Sequence, residues 1–246
     1  MSLSVSPEPA PITFAEDLVD EVSLRDRNLA RMLLPTSLAF EPFRVLRTEV
    51  KSLGEEAPPP CLGLVSATAG EGVTTTTLGL ALAFAQEPGR RTLVVEAGLL
   101  RPAVARLLGL PIDPGLGEWL ASGGQEPVPL RRLDRWNLWL LEAGGGTEQS
   151  AELLGSDRMG ALLSAARETF DTVLVDCPAL TPWADSVALQ EHLDGLLLVL
   201  RARHAERAAI KDALTHVRPG LIKGVVFNDR REMLTWLRRG RRSRRR

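Results

Sequence analysis

Six short runs of Val, Leu and small residues punctuate the chain: "CLGLVSA" (61–67), "RTLVVEA" (91–97), "NLWLLEAG" (137–144), "TVLVDCP" (172–178), "GLLLVLRA" (195–202) and "IKGVVFN" (222–228). A strand that meets water on one face alternates apolar and polar residues, whereas a strand covered on both faces reads as a continuous apolar run. Parallel neighbours also need a crossover between them, usually a helix. Helical patterns do fall between the runs, at 74–86, 102–108, 156–170, 184–192 and 205–217, with a short one in "GLGEWLAS" (115–122) and another before the first run at 41–53. The pattern predicts an α/β fold, a doubly wound and mostly parallel sheet with helices on both faces.

The 246 residues, 44% apolar and 25% charged, suit one such domain. We place it at residues 37–230. Residues 1–36 are Pro-rich and acidic without a sustained period, and read as a flexible arm with a short helix around Leu24–Leu34. Residues 231–246 form a basic tail. The start has neither the basic region nor the apolar core of a signal peptide, and no apolar run is long enough to cross a bilayer. Cys61 and Cys177 fall in expected core strands, as buried reduced thiols of a cytoplasmic protein would.

The loop after the first run, "SATAGEGVTTTT" (66–77), sits between a strand and a helix, as a phosphate-binding loop does. Gly70 and Gly72 permit the tight backbone that aims N–H groups at a phosphate, and the helix N-terminus adds its positive end. Glu71, Val73, Thr74 and Thr75 complete the loop, with the Thr74 hydroxyl placed to bind Mg²⁺. Val73 stands where such loops carry lysine, and Ala67 where they carry their first glycine. From the motif alone two readings stay open: an anion cradle, or a Gly-rich turn with no ligand.

Several segments in order resemble the bacterial tyrosine kinase (BY-kinase) family, the cytoplasmic P-loop domains of polysaccharide copolymerase systems, related to the MinD and ParA ATPases. "EPFRVLR" carries Glu41, Arg44 and Arg47 in an ExxRxxR pattern, "GEGVTTTTLGLALAFAQ" follows the P-loop and its helix, "VVEAGLLRPAVARLLGL" follows the Walker A′ strand, and "VLVDCPAL" follows Walker B. The likeness covers roughly residues 38–230. It implies a deviant P-loop NTPase fold and an ATP or ADP site with Mg²⁺ held by Thr74 and Asp176. Glu96 and Asp176 stand as the residual catalytic carboxylates, and Arg101 lies beside the nucleotide. Spacings of three keep Glu41, Arg44 and Arg47 within about a 120° arc of a helix, a face that in the family docks on a neighbouring subunit to build a ring.

The departures from the family pattern set the expected chemistry. Val73 can neither donate a hydrogen bond nor carry charge. One lost charged hydrogen bond weakens binding by ~1.5–3 kcal/mol, which backbone-mediated binding can survive, but one lost transition-state donor slows reaction by about 10²–10³. Phosphoryl transfer depends almost wholly on such positioning and electrostatics. Glu96 replaces the first Walker A′ Asp and Gly98 the second. The chain has no tyrosine, so it has no tail tyrosines to phosphorylate. A pseudokinase is the expected result, a regulatory subunit of exopolysaccharide or capsule synthesis and export that works by oligomerising with a membrane copolymerase. The alternatives are an active ATPase or protein kinase using a substitute arginine (Arg101, or Arg44 or Arg47 of a neighbour), and a MinD-like positioning ATPase at the membrane.

Arginine supplies 27 of the 30 basic residues, and from Arg230 onward the net charge is +8 while the rest of the chain carries −9. In the tail, Trp236 and its Leu neighbours adjoin Arg238, Arg239, Arg241 and Arg242. A polybasic segment beside an apolar face reads as a contact for an anionic membrane surface, worth ~1 kcal/mol per basic residue. An acidic body opposes nucleic-acid binding. The expected location is cytoplasmic and peripheral at the inner membrane.

Overall fold

Cys61–Val65 (β2), Thr92–Glu96 (β3) and Thr172–Asp176 (β6) are buried at every position, as strands covered on both faces must be. The structure is a computed structural model that describes residues 11–18, 34, 36–53, 61–133, 136–182 and 184–228. The basic tail lies outside these residues, as does the helix expected around Leu24–Leu34 apart from Leu34 itself. The other strands are Phe14–Leu18 (β1), Val128–Leu133 (β4), Leu138–Leu141 (β5), Gly195–Arg201 (β7) and Ile222–Asn228 (β8). They form one eight-stranded sheet in the order β1-β4-β5-β3-β6-β2-β7-β8, parallel throughout except for the β4–β5 pair.

The period of two sorts each strand's residues between two cores. Cys61 and Val65 join Met159, Leu162 and Leu163 of one helix layer, while Leu62 and Leu64 join Phe43, Leu80 and Phe84 of the other. The helices are Glu41–Lys51 (α1), Val73–Ala85 (α2), Val104–Leu108 (α3), Leu116–Ala121 (α4), Ser150–Leu154 (α5), Asp157–Thr169 (α6), Asp185–Leu189 (α7) and Arg207–Thr215 (α8). Pro42 stands in the first turn of α1, where its missing N–H costs nothing. Almost all of α2 is buried, because it lies between the sheet and α1. Gly79 makes that sandwich close: a Cβ there would stand 2.4 Å from the Phe43 ring.

Two strands depart from the sequence expectation. Within the expected arm, Phe14–Leu18 adds in parallel to β4 as the sheet edge. Phe14 packs edge-on against Phe170 at 5.7 Å, and Glu16 reaches Arg91 (3.6 Å) and Arg132 (4.0 Å). Five residues are too few to display a period, and these partners are distant in sequence. Val128–Leu133 carries no strand signal in sequence because Pro129 and two arginines interrupt it, features that belong to sheet margins. Arg131 is nonetheless buried, paired with Glu142 at 3.0 Å and Asp113 at 2.5 Å. Both cysteines are buried and unpaired, and burial pushes the Cys61 thiol up to about 12.

The sheet order creates a switch point. From β2 the chain crosses β6 to reach β3, and from β6 it later crosses β2 to reach β7. Loops at the carboxyl ends of β2 and β6 therefore diverge to opposite faces, which opens the crevice where doubly wound sheets bind ligands.

Candidate functional site: a phosphate-binding loop without its lysine

The chain leaves β2 at Val65 and turns through Ser66–Gly72 into α2. Gly70 (φ 88°) and Gly72 (φ 92°) adopt the left-handed conformation that glycine reaches without strain. Three consecutive carbonyls are then held by side chains from the carboxyl ends of the neighbouring strands β7 and β8 and from the turn after β7. His204 Nε2 lies 2.9 Å from Ala69 O, Arg201 Nη1 donates to Gly70 O at 3.4 Å, and Asn228 Nδ2 donates to Glu71 O at 2.8 Å. The fully buried Glu71 carboxylate accepts from Thr68 N (2.9 Å), Thr68 Oγ1 (3.1 Å) and Arg201 N (3.0 Å). Glu71 is therefore a brace for the loop.

The N–H groups on the other side are open. Thr76 N makes the first helical bond, to Gly72 O at 3.0 Å, and none of the N–H groups of residues 69–75 donates to an acceptor among the described residues. A row of open N–H groups at the head of a 13-residue helix is suited to an anion with several oxygens.

Val73 is 9% exposed and belongs to the apolar cluster containing Phe40, Phe43 and Leu64. A core residue thus occupies the position of the loop's usual cation. Thr74 and Thr75 are half-buried in the first turn of α2.

Glu96 and Asp176 end adjacent strands in register. Burial pushes the Asp176 carboxyl up to about 7; the Thr74 and Thr77 hydroxyls oppose that rise, and the charge of Glu96 adds to it. With Thr74 beside it, Asp176 has the donor set for a Mg²⁺-bound water. Glu96 is otherwise engaged: its carboxylate accepts from Ala103 N (2.5 Å), Val104 N (2.8 Å) and Ala143 N (3.1 Å). The glutamate side chain extends over the start of α3 and satisfies orphan N–H groups there, a structural contact that the spacing of Glu96 in sequence does not show. At Gly98, a Cβ would meet nothing nearer than Arg101 O at 3.8 Å, so packing does not require glycine there. Arg101 is exposed in the same turn, its N–H donating to Gly98 O at 3.1 Å.

No family model matches the chain. Tyrosine-protein kinase YwqD of Bacillus subtilis is 30% identical over 212 residues, which cover 85% of this chain and 89% of YwqD. The chain belongs to the bacterial tyrosine kinase family. The succinoglycan biosynthesis transport protein ExoP of Rhizobium meliloti is 28% identical over 87% of the chain, which corresponds to only 28% of ExoP's own length. Among solved structures, the BceF tyrosine kinase domain is 26% identical with a TM-score of 0.72, over 86% of this chain and 91% of that one.

Within this BY-kinase fold, the ExxRxxR helix meets the C-terminal end of the P-loop helix. Arg47 Nη1 donates to Ala83 O at 2.7 Å, and its Nε lies 3.5 Å from Glu87. Arg44 pairs with Glu41 at 2.8 Å, reaches Gln86 Oε1 at 3.4 Å and lies 5.4 Å over the Phe40 ring. Partial burial pushes the Glu87 carboxyl up, but hydrogen bonding and charge from Lys51, with Arg90 and Arg47, hold it below its ordinary value. Arg47 thus caps the last turn of α2, a role the one-face helical pattern does not reveal. Glu41, Leu38 and Val45 remain exposed on the outside of this junction.

Asn228, His204 and Arg201 join the site without having been expected from sequence. Asn228 has a signal, a polar side chain closing an apolar strand at the carboxyl edge of the sheet; His204 has none, because its contact depends on the path of the β7–α8 turn. Trp236, Arg238, Arg239, Arg241 and Arg242 lie outside the described residues. No helix among the described residues is long and apolar enough to cross a membrane.

Proposed function

We propose that this BY-kinase relative is a catalytically silent regulatory subunit. It binds ATP or ADP with Mg²⁺, assembles with copies of itself and with a membrane polysaccharide copolymerase, and acts in exopolysaccharide or capsule synthesis and export. The observation that carries this reading is the loop: its row of N–H groups is open, yet apolar Val73 fills the place of the lysine. Backbone donors can hold phosphates in a ground state. Transfer of a phosphoryl group needs charge placed where negative charge develops, and Val73 and Gly98 supply none.

The polysaccharide context rests on likeness to ExoP, whose name describes succinoglycan biosynthesis and transport. Assembly through α1 is supported by the exposure of Glu41, Leu38 and Val45 around the motif. The basic tail would hold the subunit at the cytoplasmic side of the inner membrane, against anionic lipid.

A second reading, ATP turnover with a substitute arginine, is favoured by Arg101. It is exposed in the turn beside Gly98, at the carboxyl end of β3.

Titration calorimetry with Mg·ATP and Mg·ADP, beside a phosphate-release assay, tests the proposal. Binding without turnover is expected. Turnover that disappears in Arg101→Ala supports the second reading instead.

A further inference from the structure

The loop keeps an anion-receptive shape although the residue that usually draws phosphate into it is absent, so something else must set its peptide planes. Each peptide has two edges, and fixing the carbonyl on one side turns the N–H to the other. The carbonyls of Ala69, Gly70 and Glu71 are fixed by His204, Arg201 and Asn228 at 2.9, 3.4 and 2.8 Å. Two of these three anchors come from a single turn, residues 201–204 between β7 and α8, closed by His204 N donating to Arg201 O at 3.1 Å. Arg203 in that turn has φ 60°, a conformation that costs a non-glycine residue energy and persists where its surroundings enforce it. The strained turn delivers the imidazole to the loop: a Cβ on Gly70 would stand 3.3 Å from His204 Nε2. A carbonyl can only accept, so His204 carries its hydrogen on Nε2.

We propose that His204 is a positioning residue of the phosphate loop. Its Nε2–H orients the Ala69–Gly70 peptide so that the N–H groups of residues 70–75 face the site in the absence of any ligand. This inference rests on the nucleotide-binding reading only for its consequence for affinity; the contacts that hold the loop are made within the chain itself. His204 is exposed, so substitution there leaves the core intact.

The test uses the full-length protein labelled with ¹⁵N, as wild type, His204→Gln and His204→Phe. Glutamine keeps an N–H donor, whereas phenylalanine keeps the ring and removes the donor. Without nucleotide, the Gly70 and Gly72 amide resonances should stay close to wild type in His204→Gln and shift or broaden in His204→Phe. Mg·ADP affinity should follow the same order, about fivefold weaker in His204→Phe, the scale of one neutral hydrogen bond. Unchanged Gly70 and Gly72 resonances in His204→Phe would overturn the inference, as would equal losses in both variants. A wild-type protein that binds no Mg·ADP contradicts the nucleotide reading, while the ligand-free resonances still decide the role of His204.

Discussion

Glu96 and Asp176 are register partners at the carboxyl ends of β3 and β6, yet their carboxylates face different tasks. Glu96 gives its oxygens to three backbone N–H groups, whereas Asp176 is buried beside Thr74 with its carboxyl pushed up to about 7. One caps the start of α3, and the other lies beside the first turn of the P-loop helix.

That division predicts a stability cost at Glu96. Glu96→Ala leaves the N–H groups of Ala103, Val104 and Ala143 without their acceptor and should destabilise the fold by ~2–4 kcal/mol. Glu96→Asp, one methylene shorter, should recover only part of the loss. Urea denaturation followed by circular dichroism measures both; a loss below about 0.5 kcal/mol in Glu96→Ala would contradict the cap.

Asp176 predicts a pH dependence of stability. An acid whose folded pKa is raised above its unfolded value favours folding while protonated. That contribution is complete below about pH 4 and is lost as pH rises through about 7. Glu142 adds to the same trend: burial pushes it up to about 7 against the charge of Arg131, with Glu96 and Asp113 contributing to the rise. The melting temperature of the ligand-free protein should fall from about pH 5 to about pH 8. Asp176→Asn should flatten part of that fall and be several degrees more stable than wild type at about pH 8.

Arg47 and Glu41 should separate stability from assembly. Arg47→Ala removes the cap on Ala83 O and the contact with Glu87, with an expected loss of ~1–2 kcal/mol. Glu41 is 56% exposed, so Glu41→Ala should change stability by less than about 0.5 kcal/mol and shift sedimentation velocity profiles toward monomer. Unchanged profiles would remove α1 from the assembly face.

Gly98 predicts a permissive site. A Cβ added there would meet only the Arg101 carbonyl oxygen, at 3.8 Å, so Gly98→Asp should fold with wild-type stability to within about 0.5 kcal/mol. Joined to Val73→Lys it should raise ATP turnover above that of either single variant, as a phosphate-release assay would record.

The central sheet is legible in sequence because Leu62 and Leu64, or Val94 and Leu174, are apolar for a reason every doubly wound sheet shares. The loop is legible for a local reason: Gly70, Gly72 and the absent lysine at 73 all lie within a few residues. What escapes is whatever depends on distant partners. Phe14 gives no sign of Phe170, nor Arg47 of the Ala83 carbonyl. Glu96 looks like a displaced catalytic acid because its spacing matches one, and only the path of α3 shows its oxygens to be occupied. His204 is invisible in sequence because a turn brings it to a loop more than a hundred residues earlier.

The most direct test is to titrate the wild-type protein with Mg·ATP and follow γ-phosphate release in the same sample. Saturable binding with no phosphate released is expected, and no transfer to a tyrosine-bearing peptide. Turnover by wild type at a rate equal to or above that of the Val73→Lys, Gly98→Asp double variant would contradict this expectation.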